Sequence, residues 1–311
     1  MLKSKDLLGL YDTSKEEIEL ILEQAAGMKK LLNQNIKKLP HLQGKTVTTL
    51  FYENSTRTRV SFELAAKYMS AATVNISASS SSVSKGETLI DTGKTLDAMK
   101  TDIIIMRHPM AGAPRLLAKN VKASVINGGD GMNEHPTQAL LDMLTMKEKF
   151  NTFKGLKVAI LGDIKHSRVA KSNLFGLIKM GAEVVMYAPK TLIPAEIEKL
   201  GAKIAKSKEE ALKNADVVMG LRIQLERQTG GLFPSLSEYS QFFGVNENDL
   251  KLTNKNSIIM HPGPVNRGIE LTSALIDGDN SLIEEQVLSG VAVRMAILFL
   301  LGQRNKEINK D

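Results

Sequence analysis

The sequence predicts an α/β protein built from two doubly wound domains with parallel sheets. Short apolar runs of strand type alternate with segments whose apolar residues recur at helical spacing, which is the pattern of βαβ units. At 311 residues, the chain is long enough for two separate cores. A polar stretch with a glycine at 152–155 predicts the boundary. We therefore expect domains at 1–150 and 151–287, with a C-terminal helix at 288–311 that packs back on the first domain.

The first domain opens with a predicted helix at 14–32, in which Ser14 can cap and Glu16 and Glu17 occupy the first turn. Strand patterns follow at 47–52, 73–77, 102–109 and 123–127, and helical patterns at 60–69, 89–99 and 139–150. A serine-rich loop at 79–87 would, on its own, be a surface linker.

The second domain has predicted strands at 157–161, 183–187, 216–220 and 257–260, with helical patterns between them and a final helix from about 282 to 302. Strands in both domains end in polar residues. Because the carboxyl ends of parallel strands lie along one edge of a sheet, these polar residues are expected to form a ligand site.

Composition narrows the choice of partners and location. A net charge of +7 favours anionic partners, but aromatic residues make up only 5% and the lysines are dispersed, so small anions are favoured over nucleic acid. The absence of cysteine excludes disulfides and a cysteine nucleophile, and it suits a reducing cytosol. The polar N-terminus lacks a signal-peptide core, and the apolar run at 295–301 is too short to cross a bilayer. We expect a cytoplasmic protein without a membrane partner.

The stretch Ser55-Thr56-Arg57-Thr58-Arg59 joins a predicted strand to a predicted helix. With Ser55 as the N-cap, the first helical turn would present backbone N–H groups, the positive end of the helix dipole and fixed cations to one point. This arrangement would bind a phosphate group without a glycine-rich loop. The alternative is a capped helix with two solvated arginines.

Further cations and imidazoles lie at or after strand ends. They are Arg57, Arg59, Arg107, Arg168, Arg222, Arg227, Arg267, Lys85, His108, His135 and His261. Guanidinium groups bind phosphate and carboxylate bidentately, so this set favours a ligand with several anionic groups. His108 and His261 each precede a proline and are interpreted as structural. His135 begins a helix with Gln138 one turn later on the same face, where both could meet a substrate carbonyl or amide.

Other chemistries lack their sequence signatures. The turn at 162–168 has no dinucleotide-binding glycine pattern, and neither a phosphate-loop motif nor a serine-hydrolase elbow occurs. No pair of histidines has zinc-protease spacing. We therefore predict no metal and no cofactor, and the residues alone indicate a transferase that uses a phosphorylated small molecule and a second anionic substrate.

Six motifs occur in the order seen in the aspartate/ornithine transcarbamoylase family, which the chain resembles over essentially its full length. They are Ser55-Thr56-Arg57-Thr58-Arg59, Lys85-Gly86-Glu87-Thr88, Met106-Arg107-His108-Pro109, His135-Pro136-Thr137-Gln138, Leu221-Arg222-Ile223-Gln224-Leu225-Glu226-Arg227 and His261-Pro262-Gly263-Pro264. The resemblance implies an active site in the cleft between the two domains.

The resemblance also implies roles for individual residues. The carbamoyl phosphate site would comprise Ser55, Thr56, Arg57, Thr58, Arg107, His135, Gln138, Pro262, Gly263 and Pro264, with Thr58, Arg107 and His135 polarising the carbonyl group. The L-aspartate site would comprise Lys85, Arg168, Arg222 and Gln224. Ser81 and Lys85 would come from a neighbouring subunit of a homotrimer, and Glu53, Arg168 and Arg227 would favour domain closure. Gly263 stands where the family often has a larger apolar residue.

The implied reaction is carbamoyl transfer from carbamoyl phosphate to L-aspartate, the second step of de novo pyrimidine synthesis. Ornithine is the alternative acceptor, but ornithine-specific members typically carry a cysteine in the motif that here reads His261-Pro262-Gly263-Pro264. A non-catalytic scaffold of the same fold is a more distant alternative. A regulatory or pathway partner in a higher assembly also stays open.

Overall fold

The computed structural model describes residues 2–77, 86–224, 232 and 235–308, with side chains to residue 303. The chain divides into two compact units. The first comprises Met1–Leu144 and Leu288–Asp311, and the second comprises Thr145–Val287.

The first unit contains a four-stranded parallel sheet. Its strands are β1 (Thr46–Phe51), β2 (Ala72–Ser77), β3 (Ile103–His108) and β4 (Ser124–Asp130), in the spatial order β2-β1-β3-β4. The chain moves outward from β1 to β2 and then returns to the other side of β1 for β3. The topological switch point therefore lies between β1 and β3, where Phe51 pairs with Arg107.

The helices of this part of the chain are α1 (Lys15–Asn33), α2 (Thr56–Tyr68), α3 (Leu89–Ala98), α4 (Ala113–Ala118) and α5 (Pro136–Phe150). The predicted cap of α1 is confirmed as a capping box. Ser14 Oγ accepts from the Glu17 N–H at 3.2 Å, and the Glu17 carboxylate accepts from the Ser14 N–H at 3.1 Å.

The second unit contains a five-stranded parallel sheet. Its strands are β5 (Lys157–Gly162), β6 (Glu183–Tyr187), β7 (Lys203–Ile204), β8 (Val217–Leu221) and β9 (Ile258–Met260), in the order β7-β6-β5-β8-β9. The switch point lies between β5 and β8, where Gly162 pairs with Leu221. The helices are α6 (Arg168–Lys179), α7 (Lys208–Leu212), α8 (Leu236–Phe243) and α9 (Ser273–Ile276).

Each sheet is packed against its own apolar core. In the first unit, Leu50 and Ile104 of the sheet are buried in one cluster with Leu117 of α4. In the second, Val218 and Ile259 are buried in one cluster that includes Leu212 of α7. Burial of such side chains stabilises each unit by about 1.5–3 kcal/mol per residue, so both switch points rest on rigid sheets.

The last helix, α10 (Ile283–Ile308), belongs to the first unit from residue 288 onward. Within the described chain, its segment Ile283–Gln303 is long and apolar enough to cross a bilayer, which the seven-residue run at 295–301 did not reveal. However, 72% of its most apolar window is buried inside the protein. A core helix passes the same test of length and composition.

The predicted strands are confirmed to within a few residues, although β4 extends three residues further than its pattern indicated. Helix α2 begins at Thr56, as the N-cap position predicted for Ser55 requires, so the predicted anion-binding stretch is itself the first helical turn; apolar periodicity alone marks only residues 60–69. Three short elements were missed, among them the four-residue helix α9. Helix α4 has six residues and a proline in its first turn, and β7 has two residues, so all three are too short to show a period.

Candidate active site

The N-terminus of α2 follows β1 at the switch point of the first sheet. Ser55 occupies the N-cap position with extended backbone, as predicted, but its side chain makes no capping hydrogen bond. Thr56 and Arg57 are exposed and Thr58 is buried. A thirteen-residue helix with an exposed arginine in its first turn offers backbone N–H groups, a dipole and a cation to an anion.

Arg107 is the penultimate residue of β3 and pairs with Phe51 at the end of β1, just before this helix start. Its Nε lies 3.1 Å from a carboxylate oxygen of Glu53, and its Nη1 donates to the Gly128 carbonyl at 3.2 Å. The Tyr52 N–H donates to the Arg107 carbonyl at 2.9 Å, so the β1 and β3 ends are joined directly. These contacts fix the direction of a half-buried guanidinium at the switch point. Glu53, predicted to act in domain closure, contacts Arg107 of its own unit.

His135 and Gln138 lie at the start of α5, which follows β4. The Gln138 N–H donates to the His135 carbonyl at 3.0 Å, so the two residues are one turn apart as predicted. His135 is buried, and Gln138 is half-buried. The Gln138 amide donates from Nε2 to Asp142 Oδ1 at 3.0 Å, so its orientation is set from within the helix.

The loop before His135 is held by two buried carboxylates. Asp130 accepts from the Glu134 N–H at 3.1 Å and from the Gly112 N–H at 2.7 Å. Glu134 accepts from the Leu10 N–H at 2.7 Å. The loop that presents His135 is thereby tied to the N-terminal segment.

The second unit holds Arg222 and Gln224 directly after β8. Buried carboxylates bind the backbone on both sides of this turn: the Ile223 N–H donates to Glu270 at 3.0 Å, and the Gln224 N–H donates to Asp163 at 3.2 Å. Burial raises the pKa of Glu270, and the N–H groups of Ile223 and Asn266 partly offset this shift. These two hydrogen bonds fix the backbone of the turn that carries Arg222 and Gln224.

Arg168 is the first residue of α6, which follows β5 and its Gly162-Asp163 turn. The N-cap Ser167 accepts from the Ala170 N–H at 3.2 Å, and Arg168 itself is buried. His166 Nδ1 lies 2.8 Å from Asp163 Oδ1. Asp163 therefore joins the turn that carries Arg168 to the turn that carries Gln224.

The motif His261-Pro262-Gly263-Pro264 follows β9. His261 is buried, and its Nδ1 accepts from the Gly263 N–H at 2.9 Å. Gly263 has φ +63°, a left-handed conformation that favours glycine, and the Gly263-Pro264 peptide is cis. His108 makes the equivalent contact in the first unit, where its Nδ1 accepts from the Met110 N–H at 3.0 Å. Both contacts fit the structural role predicted for these histidines.

Three predicted site residues, Ser81, Lys85 and Arg227, lie outside the described residues. The remaining ones lie at or after the carboxyl ends of strands in the two sheets, and only some of them border the switch points. Arg59, which the resemblance leaves without a ligand, donates to Ser77 of β2 at 3.4 Å.

Sequence reasoning missed the carboxylates that hold these groups in place. Asp163 directly follows a strand, a position at which the sequence could have indicated a functional residue. Glu270 lies in an irregular segment and Asp142 lies within a helix, where no such pattern marks them. Two doubly wound units with cations at their switch points define a class of α/β proteins that bind small anionic ligands at the carboxyl ends of their strands.

Comparisons with known proteins specify that class. Residues 5–148 match the carbamoyl-phosphate-binding domain of the aspartate/ornithine carbamoyltransferases, and residues 154–301 match the aspartate/ornithine-binding domain. The chain belongs to the aspartate/ornithine carbamoyltransferase family.

Individual relatives span almost the whole chain. This chain is 68% identical over 303 residues to the aspartate carbamoyltransferase catalytic subunit of Ruminiclostridium cellulolyticum, and the match covers 97% of both chains. A structure of aspartate transcarbamoylase from Trypanosoma cruzi with carbamoyl phosphate and aspartate matches with a TM-score of 0.85 at 31% identity, covering 96% of this chain and 97% of that one. A structure of ornithine carbamoyltransferase from Thermus thermophilus also matches with a TM-score of 0.85. It is 27% identical in sequence, and the match covers 96% of this chain and 99% of that one. The backbone fold is therefore shared by both acceptor classes.

Proposed function

We propose that this chain is an aspartate carbamoyltransferase, which converts carbamoyl phosphate and L-aspartate to N-carbamoyl-L-aspartate and phosphate in the second step of de novo pyrimidine synthesis. The observation that carries the proposal is the 68% identity, over 97% of both chains, to a catalytic subunit of that name. The geometry at the two switch points supports it.

The phosphate group of carbamoyl phosphate would bind at the start of α2. Ser55, Thr56 and Arg57 offer hydroxyls, backbone N–H groups and a guanidinium there. Arg107 adds a second cation from the neighbouring strand end. A dianionic group is matched by two arginines and a helix dipole, which accounts for binding without a glycine-rich loop.

The carbonyl oxygen of the carbamoyl group would be polarised by Thr58, Arg107 and His135. Negative charge develops on this oxygen as the amine attacks, and fixed donors that meet it in the transition state lower the barrier. Thr58 and His135 are buried and Arg107 is held by Glu53, so little reorganisation is needed. Gln138 and the backbone carbonyls of the segment Pro262-Gly263-Pro264 would accept from the carbamoyl amino group.

L-Aspartate would bind through Arg168, Arg222 and Gln224, together with Lys85. Its neutral amine attacks the carbamoyl carbon, the C–N bond forms, the C–O bond to phosphate breaks, and the departing phosphate accepts the amine proton. No covalent bond to the protein is required. Positioning and electrostatic stabilisation supply the acceleration.

A homotrimer in the cytoplasm with shared sites, in which Ser81 and Lys85 serve a neighbouring subunit, is part of the proposal, and a regulatory or pathway partner could join it. Strand β2 supports self-association because it is an edge strand with Val74 45% exposed, and such edges are normally covered. Mixing inactive Lys85→Ala and Arg57→Ala subunits should restore part of the activity. Reassembled mixtures without any recovery would contradict shared sites.

The acceptor decides between the two branches of the family. Purified protein with carbamoyl phosphate should form N-carbamoyl-L-aspartate from L-aspartate and negligible citrulline from L-ornithine. Arg222→Ala should reduce transfer to aspartate because a carboxylate partner is lost, whereas Arg267→Ala, which removes an exposed arginine paired with Asp277, is the matched control. Preferential formation of citrulline would overturn the assignment.

A further inference from the structure

The side chain of Gln138 is oriented by a buried carboxylate that lies behind it. Asp142 is fully buried one turn further along α5 and accepts from Gln138 Nε2 at 3.0 Å. An ionised carboxylate can only accept hydrogen bonds, whereas a glutamine amide has a donating nitrogen and an accepting oxygen. Asp142 therefore selects the amide nitrogen of Gln138 and directs Oε1 away from itself.

Arg294 of α10 is a buried cation whose charge interacts with that of Asp142. Arg294 is buried, and burial lowers its pKa to about 10 while Asp142 opposes that shift. The guanidinium is therefore still charged at neutral pH.

The Arg294 side chain contacts α2, the helix that begins with the predicted phosphate-binding residues. Its Nη1 donates to Ser61 Oγ at 3.0 Å, and its guanidinium lies 5.0 Å from the ring centroid of Phe62. Gly290, one turn earlier on α10, leaves the space that this side chain occupies, because a Cβ there would lie 2.6 Å from Arg294 Nη1. Arg294 is thus held against α2, and its charge acts on Asp142, which orients Gln138 on α5.

We propose that Asp142 and Arg294 are positioning residues for substrate selection, which hold Gln138 Oε1 as an acceptor and so favour a carbamoyl group over an acetyl group. The proposal rests on the proposed function, in which Gln138 meets the carbamoyl amino group. Carbamoyl phosphate donates hydrogen bonds from its amino group, whereas acetyl phosphate carries a methyl group at that position. A site built to accept such a hydrogen bond discriminates against the analogue that lacks the donor.

The test compares the Kd values of carbamoyl phosphate and acetyl phosphate by isothermal titration calorimetry. The wild type should prefer carbamoyl phosphate, and Asp142→Asn should lose about tenfold of that preference, because an asparagine amide can donate to Oε1 and let the Gln138 amide rotate. Inorganic phosphate should bind both proteins equally. Gln138→Ala should lose the preference as well, and adding Asp142→Asn to it should cost nothing more.

Two further variants keep the test decisive. Asp142→Asn with Arg294→Met removes both buried charges together and should show the same loss without leaving an isolated buried cation. Asp102→Asn is the matched control, since it breaks the 2.7 Å pair with Lys45 at the opposite end of the strands and should keep the full preference.

An unchanged ratio in a folded Asp142 variant would overturn the proposal, and so would a wild type without a preference. The transfer assay separates this failure from failure of the proposed function. A wild type that carbamoylates aspartate, with an Asp142 variant that keeps its preference, would refute the positioning role alone.

Discussion

Replacing Arg107 with alanine tests the proposed carbamoyl phosphate site most sharply, because the substitution also has a predictable effect on the charge of the neighbouring Glu53. Loss of a charge-assisted hydrogen bond to phosphate costs about 1.5–3 kcal/mol, which corresponds to about 10- to 150-fold weaker binding. The Glu53 carboxylate, now 3.1 Å from Arg107 Nε, would lose this partner and repel the phosphate. We expect that repulsion to add about 1 kcal/mol.

The assay is calorimetric titration with inorganic phosphate, followed by kcat/KM for carbamoyl phosphate. Adding Glu53→Gln to Arg107→Ala should recover about fivefold of the lost affinity, since the carboxylate charge is removed. Arg115→Ala, which breaks the exposed pair with Asp12, is the control and should leave phosphate binding unchanged. If Arg107→Ala binds phosphate normally, or if the double variant binds no better than the single one, the assigned geometry at the switch point is wrong.

Two other predictions concern the buried acid of the second unit and a histidine of the first. Glu270→Gln places an amide N–H against the backbone N–H of Ile223 or Asn266. The KM for aspartate should therefore rise about tenfold, while the Kd for carbamoyl phosphate stays within about twofold of the wild-type value. An unchanged KM for aspartate in steady-state kinetics would refute this. Burial lowers the pKa of His108, whose Nδ1 accepts from the Met110 N–H, so an NMR titration should give a value below about 6.5. Because the folded-state pKa is depressed, the contribution of His108 to stability is present above pH 6.5 and lost as the pH falls through the folded value, and a normal or raised pKa would contradict this.

Much of the architecture followed from local pattern. The capping box of α1 needs only Ser14 and Glu17 at the right spacing, and the strands carry continuous apolar runs. Sequence could also place the cations at strand ends, since that requires only the position at which each run stops. It could not show that β1 and β3 are neighbours, because strand order is set by long-range packing rather than by adjacent residues.

The supporting carboxylates were less predictable. In the sequence, Asp142 looks like any other polar residue of α5. Its proposed role depends on its electrostatic interaction with Arg294, which is far away in sequence. Glu270 lies in an irregular segment, and its partner is the backbone of residue 223. Such contacts have no sequence period, because they are created by the tertiary fold and not by the element that carries the residue.

The central claim is that the residues at the two switch points act on the substrates of one carbamoyl transfer. Titration with N-(phosphonacetyl)-L-aspartate, which joins a phosphonate to two carboxylates, tests this claim most directly. We predict that the wild type binds the compound at least 100-fold more tightly than phosphate and that Arg57→Ala and Arg222→Ala each weaken binding by about tenfold or more. Unchanged affinity in either variant would contradict the account.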